Sequence, residues 1–272
     1  MWPLSRPIPD AIEDAKLISI LKKPEFAGQE KVWVAAYAAY RVARGDPWAM
    51  TRALFSADIE KEQLALYDNR KSGGPIERIR QTVGILCCPM CGSPTTGTLD
   101  HYLPRDAFPE FSVFPSNLVP ACGLCNSGAK GKIFKGTVAL ERFLHPYFDT
   151  VANHEIWRVS VQPPYAAATF APLASPSAPA AILPALQFHL ASIFGPAFHT
   201  QMATYWSTLA DEIRDHVADL GMTLDKAWAF AQKASDRSFA VNGWRSALIR
   251  GVIADPAARA FIDGLAAKKK AP

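Results

Sequence analysis

The chain has 272 residues, of which 49% are hydrophobic and 20% charged, and its formal net charge is +4. That is enough chain for one large domain or two modest ones around a real core, and too mild a charge for a strongly basic nucleic-acid coat, although a local basic patch stays open. No apolar run approaches the roughly 20 residues of a membrane span, and the opening MWPLSRPIPDAIEDAK carries no apolar leader, so the expectation is a cytoplasmic protein with no membrane partner.

Residues 1–84 read as a helical region. Ile12, Leu17, Ile20 and Leu21 predict a short amphipathic helix ending near Pro24, and Val32, Ala36 and Tyr40 recur at helical spacing within 29–42. Asp46-Pro47 has the form of an N-cap with Pro at the first helical position and predicts a helix through Leu54. The next helix, 57–67, sets Ile59, Gln63, Leu66 and Tyr67 against Glu60, Lys61 and Glu62. Ser72-Gly73-Gly74-Pro75 breaks the chain before a short helix with Arg78 and Arg80.

Residues 85–135 lose that periodicity. They are rich in Pro, Gly, Cys and aromatics, with short β-like pieces at 97–101 and 111–114. A small unit without its own core needs a staple, and a metal can supply it. Residues 136–272 resume as a mainly helical region. It should hold a short helix at 137–144, a strand at 155–162 with a partner near 167–170, and an Ala/Pro-rich loop at 172–185. A strong helix at 197–220 follows, striped by Phe198, Met202, Tyr205, Leu209, Ile213, Val217 and Leu220 and ended by Gly221. Two or three further helices rest on Trp228, Trp244, Leu248 and Val252, and the lysines at 268–270 read as a solvated end. The fold class expected is α+β: a mostly helical chain around a central stapled module.

All five cysteines fall inside the middle region. Cytosolic thiols stay reduced, and clustering points to metal more than to a disulfide framework. Cys88-x-x-Cys91 and Cys122-x-x-Cys125 are two knuckles that together complete a tetrahedral all-thiolate zinc site. With every position filled, such a site is structural. The bland alternative is four buried free thiols. Cys87 is the spare, a small buried residue beside the knuckle, unless the register shifts to it.

Between the knuckles lies Leu99-Asp100-His101-Tyr102-Leu103-Pro104; Asn117 follows in PSNLVP, and Asn126 comes directly after the last cysteine, ahead of Ser127-Gly128-Ala129-Lys130-Gly131-Lys132. Alone, Asp100-His101 could be a hydrogen-bonded pair at a strand end. As a set, the residues suit phosphodiester cleavage. Asp100 and Asn126 offer hard oxygen donors to Mg²⁺ or Mn²⁺. His101 has a pKa range suited to a general base. Adjacent strand residues point to opposite faces, so a twist or bend before Pro104 must bring Asp100 and His101 to one phosphate. Lys130, Lys132 and Lys135 can reach phosphates or be plain surface charge, and Gly128 and Gly131 permit close backbone approach. His145 and His154 read as structural.

These motifs resemble the HNH, or ββα-metal, endonuclease family, in the branch with four zinc cysteines and asparagine at the last motif position. The match covers D-H-x-x-P, a middle N-L and C-x-x-C-N. The wording around it, with FLHPYFD at 143–149, is similar to HNH proteins of Septu-like antiphage defence systems. The resemblance implies an 85–135 nuclease module that hydrolyses DNA to 5′-phosphate and 3′-hydroxyl ends. His101 would be the base, Asn117 on the second strand would hold the loop and help orient it, a backbone-bracing role as much as a chemical one, and Asp100 and Asn126 would be the catalytic metal ligands. It also implies an ABC- or SMC-type ATPase partner. RNA cleavage, and a non-catalytic zinc-stapled module that binds nucleic acid or protein, are the competing expectations.

Overall fold

The computed structural model describes residues 1–268. Four helices open the chain: α1 (Asp10–Leu21), α2 (Glu30–Ala43), α3 (Ala57–Asp68) and α4 (Pro75–Arg80). Two short strands, β1 (Thr98–His101) and β2 (Leu118–Ala121), then form an antiparallel pair, followed by a π-helical turn over Leu124–Lys130. A second antiparallel pair, β3 (Trp157–Gln162) and β4 (Thr169–Ala174), leads into α5 (Leu183–Ile193), α6 (Pro196–Ala218), α7 (Leu224–Phe239), α8 (Trp244–Ala254) and α9 (Pro256–Ala266). The fold is α+β and mostly helical, as expected.

Local chemistry sets many of these boundaries. Ser56, Thr223 and Asp255 cap α3, α7 and α9 by accepting backbone N–H bonds. Pro196 starts α6, and Gly221 turns the chain with φ +61° after it. Leu99 of β1 faces Pro120 of β2, and a proline is tolerated there because the pair has free edges.

A single buried cluster threads all three regions. Trp33 and Tyr37 of α2 meet Phe111 and Phe114 of the middle region, which continue to Phe143, Trp157, Phe198, Trp244 and Ile262. Tyr37 and Phe114 sit with ring centroids 3.9 Å apart, and such aromatic pairs add about 1 kcal/mol beyond their buried area. Polar ties run between the regions as well. Glu13 is buried on α1, takes Ser116 N–H and O–H on one oxygen and grips Arg41 of α2 with the other. The turn before β2 is therefore pinned to two N-terminal helices.

Several expectations fail locally, each to a tertiary contact. No helix forms over 46–54: Asp46 accepts Trp48 N–H in a tight turn, Trp48 Nε1 donates to Glu141 O, and Ala53 N donates to the Glu110 carboxylate. The stretch 137–144 is a loop closed on Glu141, whose carboxylate accepts Thr137 and Val138 N–H. Residues 111–114 form no strand but link two 3-10 turns, Pro109–Phe111 and Pro115–Asn117, and the second strand starts only at Leu118. The 172–185 stretch is loop only in its middle, since β4 runs to Ala174 and α5 begins at Leu183. Along α6, Phe198, Met202, Leu209 and Ile213 are buried while Leu220 is exposed. The expected solvated lysines beyond Lys268 lie outside the described residues.

Candidate metal centre

The sulfurs of Cys88, Cys91, Cys122 and Cys125 all lie within 4.8 Å of one another, and all four residues are buried. Cys88 and Cys125 are 3.6 Å apart, Cys91 and Cys122 3.5 Å, and Cys122 and Cys125 3.5 Å. A disulfide needs about 2.05 Å. Sulfurs about 2.3 Å from a shared tetrahedral centre stand roughly 3.8 Å apart. The cluster has the spacing of the second case, and the four thiolates can hold a zinc ion. Cys122 N–H points at the Cys88 sulfur at 3.3 Å, as a metal-binding knuckle requires. Cys87 lies outside the cluster, with burial pushing its thiol pKa up, so the register runs through Cys88.

The first knuckle is clamped from the C-terminal half. His189 of α5 donates from Nε2 to Met90 O at 2.7 Å, and its Nδ1 accepts Leu144 N–H at 2.8 Å. Trp244 of α8 donates from Nε1 to Cys91 O and from its backbone N to Gly92 O. Gly92 has φ +81°, and a Cβ there would fall 2.4 Å from Asn242 O, so only glycine fits.

Beside the cluster, β1 sorts its side chains by strand alternation. Leu99 packs with Ile79 and Leu118, and His101 meets the Tyr67 ring at 4.5 Å, on the side of α3 and α4. Thr98 and Asp100 face the π-helical turn instead. Asn126 Nδ2 donates to Thr98 Oγ1 at 3.1 Å and to Leu99 O at 3.3 Å, and Lys130 Nζ donates to Asp100 Oδ1 at 3.1 Å and His101 O at 3.0 Å. An i, i+4 pair on the turn is thus registered over an i, i+2 pair on the strand. The expected twist that would turn Asp100 and His101 to one side is absent; alternation separates them.

Lys130 also departs from expectation. It is fully buried in an ion pair with buried Asp100 and is not presented at the surface for phosphate. Its ammonium lies 3.1 Å from Asp100 Oδ2 as well, yet Oδ2 makes no hydrogen bond among the described residues. Burial pushes the Asp100 carboxyl pKa up and Lys130 opposes that. Asp100 Oδ2 and the Asn126 amide oxygen are hard donors that fit a divalent cation in kind, but the cation would have to displace the Lys130 ammonium from Oδ2. Lys132 is exposed and pairs with Asp106 at 2.5 Å, and Lys135 lies over the Trp48 ring.

His101 Nε2 is 2.9 Å from Ser112 O, and a carbonyl only accepts, so Nε2 carries the proton and Nδ1 the lone pair. Burial pulls the imidazole pKa down to about 4. Asn117 ends the turn before β2 instead of lying on the strand, and its amide is spent on backbone. Oδ1 accepts Leu103 N–H at 2.8 Å, Nδ2 donates to Leu103 O at 3.0 Å, and Tyr40 O–H donates to Oδ1 at 3.1 Å. It braces the Tyr102–Leu103 link that follows His101 and does not touch the imidazole. His145 stands behind it, with Nε2 3.0 Å from the Tyr40 hydroxyl.

Sequence reading missed the wall opposite Asn126. A cleft of about 240 Å³ is lined by Asn126, Thr98, Tyr67, Arg70, Glu77 and Arg80. The Arg70 guanidinium sits 4.0 Å from the Tyr67 ring centroid, and Arg105 lies 5.3 Å from it. Nothing local in the sequence ties α3 and α4 to β1; their packing on Leu99 and His101 does.

The chain is 48% identical over 63 residues to protein ea31 of Escherichia phage lambda, a stretch that is 23% of this chain and 21% of that protein. The matched stretch thus spans about a fifth of that relative's length. No family model matches, and no solved structure matches. Among the described residues no single helix is long and apolar enough to cross a membrane.

Proposed function

We propose that the chain is a metal-dependent HNH endonuclease that hydrolyses DNA, acting as an antiphage effector together with an ABC- or SMC-type ATPase. The observation that carries the nuclease reading is the stacking of Asn126 and Lys130 over Thr98 and Asp100 directly beside the four-cysteine cluster. The cluster would hold zinc and fix the π-helical turn against β1. Asp100 Oδ2 and the Asn126 amide oxygen would hold Mg²⁺ or Mn²⁺, which when bound neutralises charge on the leaving oxygen. His101, fixed by Ser112 with Nδ1 unprotonated, would be the base, and since alternation turns it away from Asp100, the strand end before Pro104 would have to swing on substrate binding to bring Nδ1 to the attacking water. Asn117 would keep the backbone after His101 in place. At the cleft Arg80 is paired with Glu77, and Arg70, which has no ion-pair partner among the described residues, would offer phosphates a cation.

The buried Asp100–Lys130 pair favours a second reading, a zinc-stapled binding module without chemistry. The experiment is His101→Ala, assayed with Mg²⁺ on plasmid DNA and on matched DNA and RNA oligonucleotides, alone and with the ATPase. Cleavage by the parent that falls at least ~100-fold in the variant, with one zinc per chain kept, supports the enzyme. Undiminished cleavage by the variant, or none by the parent under any of these conditions, overturns it. Faster cutting of the RNA substrate would reassign the substrate.

A further inference from the structure

A cavity of about 1010 Å³ opens between α1, α4 and the segment leading into α1, away from the cysteine cluster. Its walls are apolar: Ile20, Leu66, Ile76, Ile79, Val113 and Tyr147. The charged groups at its surface are all cations, namely Arg6, Lys16 and Arg78. Arg6 is held by Asp10. Lys16 and Arg78 make no ion pair among the described residues. They also oppose each other: burial first, then the Arg78 charge, pulls the Lys16 pKa down, against a weaker pull from Glu13. Glu13 is already committed to Arg41 and Ser116.

Lys16 is half-buried and Arg78 exposed, neither has an ion-pair partner among the described residues, and no acid lines the apolar-walled cavity, so an anion seated there would gain both charges without displacing an acid. The volume is that of a site for a whole small molecule and far exceeds what a lone inorganic ion needs. We propose that this cavity is a binding site for a small amphiphilic anion, with a phosphate or carboxylate head between Lys16 and Arg78 and an apolar body along Ile20, Ile76 and Ile79. This site does not depend on the nuclease reading. Ile79 touches the ligand wall on one side and Leu99 and Leu118 on the other, so an occupant would brace α4 against the strand pair.

The test uses two fluorescent probes with the same apolar body. Anilinonaphthalene sulfonate carries an anionic head, and phenylnaphthylamine carries none. The full chain should bind the sulfonate at one site, about tenfold tighter than the neutral probe. Lys16→Gln with Arg78→Gln should remove that preference and leave neutral-probe binding unchanged. Ser19→Trp, which fills the cavity from an exposed position on α1, should abolish binding of both. Competition then separates the sources of the head group: displacement by dodecyl phosphate marks an aliphatic ligand, and displacement by adenosine monophosphate a nucleotide. Equal binding of the two probes, sulfonate binding unaffected by either variant, or no displacement by either competitor overturns the proposal. Cooperative melting of each variant guards against dye binding to unfolded chain.

Discussion

Lys130 holds more of the site together than its place in a Gly- and Lys-rich tail suggests. Its ammonium neutralises Asp100 and caps the backbone of His101 in a place where neither charge meets water. Removing one member of a buried pair strands the other, at a cost of roughly 3–5 kcal/mol. Lys130→Met should therefore lower the unfolding free energy by about 3 kcal/mol in urea titrations without divalent metal. Mg²⁺ or Mn²⁺ should restore part of that loss, and should stabilise the variant more than the parent. Equal stabilisation of the two would remove Asp100 from the ligand set. Residue type and spacing made Asp100 and Asn126 legible as members of facing elements, whereas His101 lies on the other face of β1. They did not make Lys130 legible as the partner of Asp100, because a lysine near glycines reads the same whether it is solvated or buried.

Among elements, α8 packs closely on β3. Gly251 lies so close to the strand that a Cβ would stand 1.8 Å from Val159 O. Gly251→Ala raises helix propensity by up to about 1 kcal/mol, and overpacking should outweigh this, for a net loss of roughly 2 kcal/mol. A thermal melt reads the sign directly, and a more stable variant would refute the contact. Elements with strong internal signals were legible: α6 from its stripe, α7 and α8 from Trp228, Trp244, Leu248 and Val252, β3 from alternation. Those missed were decided at a distance. The segment 46–54 has a helix-start motif, yet Trp48 and Ala53 find partners near residues 141 and 110 and the helix is lost. Residues 111–114 read as a β-like piece because aromatics mimic strand composition, whereas Phe111 and Phe114 are there to pack on α2.

At the scale of the whole molecule, buried neutral histidines tie stability to pH. His145 and His189 are both buried, and burial pulls each imidazole pKa from 6.5 to about 3. Below pH 6.5 the unfolded chain takes up protons that the native chain refuses, so stability falls as pH drops from 6.5 toward 3. The slope is about 1.4 kcal/mol per pH unit for each histidine. His101, its pKa lowered to about 4, adds a third contribution, so denaturant titrations should give a loss of about 6 kcal/mol between pH 7 and pH 5, and a flat profile over that range would contradict the neutral assignment. His189 links this to the metal centre, since its neutral tautomer is what lets it donate to Met90 O and accept from Leu144 N at once.

The clamp of Trp244 and His189 on the first knuckle has a kinetic corollary. The other knuckle is not fastened this way: Leu124 is exposed, and a pocket of about 270 Å³ reaches Cys91 and Cys125. An ion seated among the sulfurs would leave by that side, so isotopic zinc turnover becomes a clock for the loosening of the π-helical turn alone and should outrun the opening of the entire fold.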